Sequence, residues 1–293
     1  MKNVLFATTA LVLTAGVASA EVTFSGTGQV SVSSTAGADY EANTHLDLNV
    51  AISGATDNGM TISTSVGYDA GRQADYNDDY QLDAAETGWG TGAPEVAIGY
   101  NGVTLTVQRD GVDNLFDDAA KGAHDLGVAG SASGVDYALT TDLNGGDYSY
   151  KVGYTMGDLS ATVTGTNDKT VGCTASKVAV SYVVAGATLS ASVQNEDGTD
   201  EDDATVGVSY SMGAASVSYT AIRPGSNGDF GDEWDAKISY TAGAVSGYIT
   251  MDEADTTHLV AEYDLGGATA FVSSTSATGT ANDFTAVGIN FAF

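Results

Sequence analysis

The sequence predicts an all-β protein, a transmembrane antiparallel up-and-down β-barrel of about 16 to 18 strands. Three observations predict it. Short runs that alternate apolar and polar residues follow one another along the chain, as in strands with one apolar and one polar face. Tight glycine-containing turns alternate with longer polar connections, which is typical of outer-membrane barrels. No segment approaches the roughly 20 apolar residues that a membrane-spanning helix needs.

The first element is an export signal that precedes the fold. Residues 1–20 contain no acidic residue, carry Lys2 and an apolar run from Val4 to Val17, and end in three small residues. A short apolar core followed by a small-residue cleavage site is the pattern of a secretory signal peptide. We therefore expect residues 1–20 to be a cleaved signal peptide and residues 21–293 to form one barrel domain.

The strand pattern continues to the end of the chain. A typical run places Asp47 between Leu46 and Leu48, so that one face of the strand is apolar and the other polar. Such runs number about eighteen, or about sixteen if Ala244–Met251 and Ala268–Ser274, whose faces are mixed, are not separate strands. An even number is expected because the first and last strands both begin or end on the side of the short turns.

The connections alternate in length. Tight turns lie, for example, at Asn101-Gly102, Ser133-Gly134 and Ala185-Gly186, with the glycine that two-residue hairpin turns prefer. Between such turns fall longer polar stretches, notably Asp69 to Gly92 and Asp110 to Asp125. Short turns at one end of a barrel and long loops at the other are the expected arrangement in an outer membrane.

A β-sandwich is the alternative fold for alternating strands. Its core would use Leu, Ile and Phe in bulk, whereas the apolar faces here consist mainly of Val, Ala and Tyr. Many of the 15 tyrosines lie near strand ends, where lipid-facing barrels carry their interfacial aromatic girdles. The composition therefore favours the barrel.

Charge and reactive residues restrict the function. The chain has 38 acidic against 9 basic residues and a formal net charge of -29, which excludes nucleic acid as a partner because phosphate binding needs clustered basic residues. Such acidity favours cations. Cys173 is the single cysteine, so no disulfide forms within the chain. None of His45, His124 and His258 lies in a nucleophile motif, so we expect no enzyme.

Several weak motifs together resemble one family. They are Glu21-Val22-Thr23-Phe24-Ser25-Gly26, the hairpin Gly54–Met60, the turn Tyr263–Ala268, repeated Tyr-x-x-Gly strand endings and the terminal Phe293. Over essentially the whole mature chain, this combination resembles the Gram-negative porins of photosynthetic and other alphaproteobacteria. The resemblance implies a homotrimeric general diffusion pore of about sixteen strands in the outer membrane, with the third long loop folded into the lumen.

By its position, the inward loop that the resemblance implies is Arg109 to Asp125, which is shorter than the loop of the family. Its charged residues are expected at the pore constriction: Asp110, Asp113, Asp117, Asp118, Lys121 and Asp125. The family places basic side chains on the opposite wall. Strand parity directs Lys151, Lys177 and Lys237 toward the lumen, although each could also be a solvated surface lysine.

The sharpest local pattern lies in the acidic segment 75–86. It has the donor spacing of a calcium-binding loop, with oxygen ligands from Asp75, Asn77, Asp79, Asp83 and Glu86. The match is imperfect, because Tyr80 occupies the position where the turn of such a loop wants glycine. Acidic loops also produce this spacing by chance, so a calcium site and a solvated loop both stay open.

These expectations together describe a water-filled channel in outer-membrane lipid. It would pass small hydrophilic solutes and ions by diffusion, prefer cations and require no cofactor. The alternative is an extracellular calcium-binding β-rich adhesin, although the chain lacks the glycine-rich repeats of such proteins. By resemblance, Phe293 also looks like the signal that the outer-membrane insertion machinery reads.

Overall fold

The computed structural model describes residues 20–89, 93–116, 123–169, 173–196, 203–225, 228–277 and 283–293. The predicted signal peptide lies outside the described residues, apart from Ala20. Within these ranges no helix has the length and the apolar character needed to cross a membrane.

The described chain is built from strands. In chain order they are β1 Glu21–Thr35, β2 Glu41–Ala55, β3 Thr61–Gly71, β4 Ala74–Asp75, β5 Gln81–Leu82, β6 Glu86–Trp89, β7 Val96–Tyr100, β8 Val103–Val112, β9 His124–Ala132, β10 Val135–Thr141, β11 Tyr148–Met156, β12 Leu159–Asp168, β13 Cys173–Val184, β14 Ala187–Glu196, β15 Ala204–Met212, β16 Ala215–Arg223, β17 Glu233–Ala242, β18 Val245–Asp252, β19 Thr257–Asp264, β20 Ala268–Ser276 and β21 Phe284–Ala292. β4 and β5 form a small sheet of their own, and the other strands form one antiparallel sheet.

The large sheet closes on itself. β1 pairs with β2 on one side and with β21 on the other, so the first and last strands close the sheet into a ring. It contains 19 strands, but β6 and β7 both pair with β3 and together make one interrupted wall strand. The result is an 18-strand barrel, so the count from the alternating runs is confirmed. The count of sixteen is wrong, because both mixed-face segments form strands that pair with their two neighbours.

The alternation places apolar side chains outside and polar side chains inside. In β1, Val30 and Val32 are 56% and 39% exposed, whereas Gln29, Ser31 and Ser33 are buried. The exposed apolar side chains form the outer surface that lipid would cover, and closure satisfies the backbone groups that lipid cannot. The predicted barrel is therefore confirmed, and the structure is not the alternative β-sandwich.

The tight turns have the conformation that their sequences predict. Both residues of the Asn101-Gly102, Ser133-Gly134 and Ala185-Gly186 turns have positive φ, as a type I′ turn requires. Each turn joins strands whose end residues pair directly. These turns lie at one end of the barrel, and the longer connections lie at the other.

Candidate functional site in the barrel lumen

Two chain segments contact the inner wall of the barrel. The first, which we call the inner segment, comprises residues 73–82 between β3 and β6. Just before this segment, Gly71 has a φ of 97° and lies close to the Thr44 carbonyl. A side chain at position 71 would overlap that carbonyl. The backbone N–H of Arg72 donates to the same carbonyl at 2.9 Å. Glycine is needed here because this conformation and this approach both exclude a Cβ atom.

The inner segment packs on an apolar patch of the lumen wall. Its residues Ala74 and Tyr76 form a buried cluster with Val260, Phe271 and Phe284. Phe271 is 3% exposed, whereas its neighbour Val272 on the outer face is 47% exposed. The wall is therefore apolar on both faces at this point, and the segment covers the inner face.

The side chain of Gln29 on β1 holds Ala74 as a neighbouring strand would. The Ala74 N–H donates to Gln29 Oε1 at 2.7 Å, and Gln29 Nε2 donates to the Ala74 carbonyl at 3.1 Å. Ser273 Oγ donates to the Tyr76 carbonyl at 3.0 Å. Buried wall side chains thus satisfy backbone groups of the segment that would otherwise be buried without partners.

Tyr76 is the first aromatic anchor of the segment. Its ring stacks on Phe271 with 3.8 Å between centroids. Its hydroxyl donates to Glu262 Oε1 at 2.6 Å and accepts from Asn290 Nδ2 at 3.1 Å. Burial and the bond to the Glu262 carboxylate raise the pKa of the Tyr76 phenol, so Tyr76 remains a neutral donor.

Tyr80 is the second aromatic anchor. Its ring stacks on His258 at 3.7 Å, and its hydroxyl lies 3.0 Å from the Tyr248 hydroxyl. The Tyr248 hydroxyl also donates to the Asn77 carbonyl at 3.2 Å. Lys237 Nζ lies 3.9 Å from the centroid of the Tyr248 ring, a cation–π geometry. Tyr80 has φ of 54°, so it does adopt the left-handed conformation that the calcium-loop pattern assigns to this position.

The predicted calcium ligands make local bonds in the inner segment. Asp75 Oδ1 accepts from the Asp78 N–H at 3.1 Å, and Asp79 Oδ2 accepts from Gln81 Nε2 at 3.0 Å. The Asp83 N–H donates to the Gln73 carbonyl at 3.0 Å. The Glu86 side chain lies outside the described residues. Among the described residues, no group of three or more His, Cys, Asp or Glu is arranged to hold a metal, so the calcium site stays a prediction.

The second segment that contacts the wall is the start of the predicted inward loop. The Leu115 N–H donates to Ser149 Oγ at 2.8 Å, and Asn114 Nδ2 donates to Thr166 Oγ1 at 3.1 Å. Phe116 is buried. Because Ser149 on β11 and Thr166 on β12 face inward, residues 114–116 lie against the lumen wall.

The charged residues of this loop occupy different environments. Asp110 and Asp125 meet at its base, where Asp125 Oδ1 accepts from the Asp110 N–H at 3.0 Å. Asp125 Oδ2 also accepts from the Leu143 N–H at 3.0 Å, so this carboxylate connects the loop base to the next connection. Asp113 is exposed. Three predicted residues lie outside the described chain, namely Asp117, Asp118 and Lys121.

The structure brings two of the predicted lysines together. Lys151 and Lys177 stand in one row across the wall, with Thr164 paired between them. Both line a cavity of about 290 Å³ whose other side is formed by Leu115 and Phe116. Lys237 stands apart from this pair, beside the inner segment.

Sequence reasoning missed the anchors of the inner segment. The sequence nevertheless contains a signal for these anchors, because Tyr76 and Tyr80 are large aromatic residues within an acidic connection. Their partners, Phe271 and Tyr248, lie in the two strands whose mixed faces made them ambiguous. In each of these strands the aromatic residue faces the lumen, so apolar residues occur on both faces and the alternation is lost.

A closed barrel with an apolar exterior and a polar lumen defines the class of outer-membrane channels. The family model described as Gram-negative porin matches residues 7–223, so the chain belongs to the Gram-negative porin family.

Solved porins share this fold. A triple mutant of the Rhodopseudomonas blastica porin is 20% identical to this chain, with a TM-score of 0.57 and coverage of 93% of this chain and 100% of that chain. A second multiple mutant of the same porin has the same identity and coverage and a TM-score of 0.56. A comparison with curated proteins found no match.

Proposed function

We propose that this outer-membrane porin passes small hydrophilic solutes and ions by passive diffusion, prefers cations and carries out no chemical step. The observation that carries the proposal is the closed barrel with exposed Val, Leu and Tyr side chains outside and Ser, Thr, Asn and Gln inside. Such a wall replaces part of the hydration of a solute without binding it strongly, which diffusion requires.

The proposed cation preference rests on charge. The net charge of -29 makes the potential at the mouth negative, which concentrates cations there. Within the lumen, Lys151 and Lys177 oppose this effect on the same part of the wall that residues 114–116 contact, not across the lumen from the loop. We propose that these lysines, together with Lys237, line the pore and moderate its selectivity.

The reversal potential across a salt gradient in a planar bilayer tests this proposal. We expect a sign that indicates cation preference, and a larger magnitude for the variant carrying Lys151→Gln and Lys177→Gln. The matched control is Lys169→Gln, which removes a lysine outside the barrel wall. Anion preference of the wild type would show that the acidic groups do not govern the pore.

We also propose that the porin is a homotrimer in outer-membrane lipid. Residues 1–20 would direct its export as a signal peptide and would then be cleaved. Family membership supports both statements. Gel electrophoresis in mild detergent tests the assembly, because a trimer should migrate as one heat-sensitive species that chemical cross-linking captures as three subunits. N-terminal sequencing of the outer-membrane form should begin at Glu21.

A further inference from the structure

We propose that the inner segment, residues 73–82, is a second pore-narrowing element that docks on the lumen wall opposite the predicted inward loop. This inference rests on the proposed function, because it concerns the width of the same pore. It assigns to the connection between β3 and β6 a role in conductance that residues 109–125 would otherwise fill alone.

The wall strands that the two segments contact show where each segment lies in the barrel. Residues 114–116 contact β11 and β12, which are the 8th and 9th wall strands when β6 and β7 count as one. The inner segment contacts β18 to β21 and β1, which are the 15th to 18th wall strands and the 1st, with β20 at the centre. The centres of the two sites lie about half of the 18-strand ring apart, so the two segments lie against opposite parts of the lumen wall.

The wall itself is built to receive the segment. Val260, Phe271 and Phe284 are buried apolar residues on the lumen side, where other strands present Ser, Thr or Asn. Without the segment, these side chains would face water in the lumen. The wall also provides Gln29 and Glu262 at hydrogen-bond distance from Ala74 and Tyr76.

The docked segment places charge in the pore as well as bulk. Asp75 and Asn77 line a cavity of about 510 Å³ that continues to Thr269 near the short-turn end of the barrel. A solute that passes on this side therefore meets the acidic segment, whereas a solute on the other side meets Lys151 and Lys177.

Single-channel conductance of the full chain tests the inference. Replacing residues 73–83 with a Gly-Ser linker should raise the conductance about twofold, because the pore loses one of two narrowing elements. Heat-sensitive migration in detergent gels verifies that the variant barrel has closed.

Cysteine accessibility provides a second test that does not require removal of the segment. In a Cys173→Ser background, Asn77→Cys places a thiol beside the pore, and a negatively charged thiol reagent should then reduce the conductance. The matched control is Asp57→Cys in the exposed turn between β2 and β3, which should leave it unchanged. The inference is overturned if the wild type conducts but neither the Gly-Ser replacement of residues 73–83 nor thiol modification of Asn77→Cys changes the conductance. The proposed function would then remain intact. A wild type without channels would overturn the proposed function.

Discussion

Tyr76 shows how a single side chain fixes a connection between strands to the lumen wall. Its hydroxyl is shared by Glu262 and Asn290, and its ring covers Phe271. The Tyr76→Phe substitution keeps the ring and removes the hydroxyl, which leaves a carboxylate and an amide without this partner. Such a loss costs about 1–3 kcal/mol.

We therefore expect Tyr76→Phe to accelerate amide hydrogen exchange in residues 73–82 by about five- to a hundredfold. The control is Tyr154→Phe, because Tyr154 is exposed on the outer face and should not affect the segment. Unchanged exchange in Tyr76→Phe would show that the ring alone holds the segment.

Asp75 makes docking of the segment depend on pH. Burial is the main cause that raises the pKa of its carboxyl above the ordinary 3.8. A group whose pKa is higher in the docked state strengthens docking at low pH, and this contribution is lost as the pH rises through the raised pKa. The wild-type conductance should therefore fall more steeply on acidification, over the range in which Asp75 becomes protonated, than that of Asp75→Asn. Parallel pH profiles of the two proteins would contradict this role.

At the scale of elements, the joint between β1 and β21 closes the barrel. Phe293 and Gly26 exchange two backbone hydrogen bonds of 3.0 Å. The rings of Phe291 and Phe293 lie over Gly28 and Gly26, where a Cβ atom would overlap them. Aromatic rings that cover glycines on a neighbouring strand protect the backbone hydrogen bonds beneath them.

Deletion of Phe293 should accordingly lower the outer-membrane yield more than the conductance of the channels that do form. Phe293→Tyr keeps a ring over Gly26 and serves as the control. Outer-membrane yield is measured on quantitative gels, and normal yield of the truncated chain would count against a role in assembly.

The segment 75–86 gives a prediction about calcium. If its carboxylates bind the ion, calcium should raise the unfolding temperature of the wild type and have less effect on Asp79→Ala, because binding to the folded state alone stabilises it. Asp57→Ala, in an exposed turn at the other end of the barrel, is the control. No calcium effect on the wild type would eliminate the site.

The sequence was sufficient to predict the strands but insufficient to predict what fills the lumen. Alternation around residues such as Asp47 depends only on neighbours in the chain, and the closure of β21 on β1 followed from the barrel. The contact between Tyr76 and Ser273 spans 197 positions and exists only once the barrel has closed. The register that brings Lys151 and Lys177 into one row likewise depends on pairing across three strands.

At the scale of the whole molecule, closure, charge and narrowing together define the pore. Pairing of the first and last strands closes the large sheet, and its outer face suits lipid. The lumen carries an acidic segment on one side and a lysine pair on the other. The proposed channel therefore combines a scaffold of 18 strands with two segments that lie against opposite parts of the lumen wall.

Single-channel conductance of the purified wild-type protein in a planar bilayer tests whether this barrel is an open, water-filled channel. A water-filled pore predicts discrete, long-lived current steps whose size grows in proportion to the salt concentration. Purified, heat-sensitive protein that inserts into the bilayer without producing such steps would contradict the claim that this barrel is an open diffusion channel.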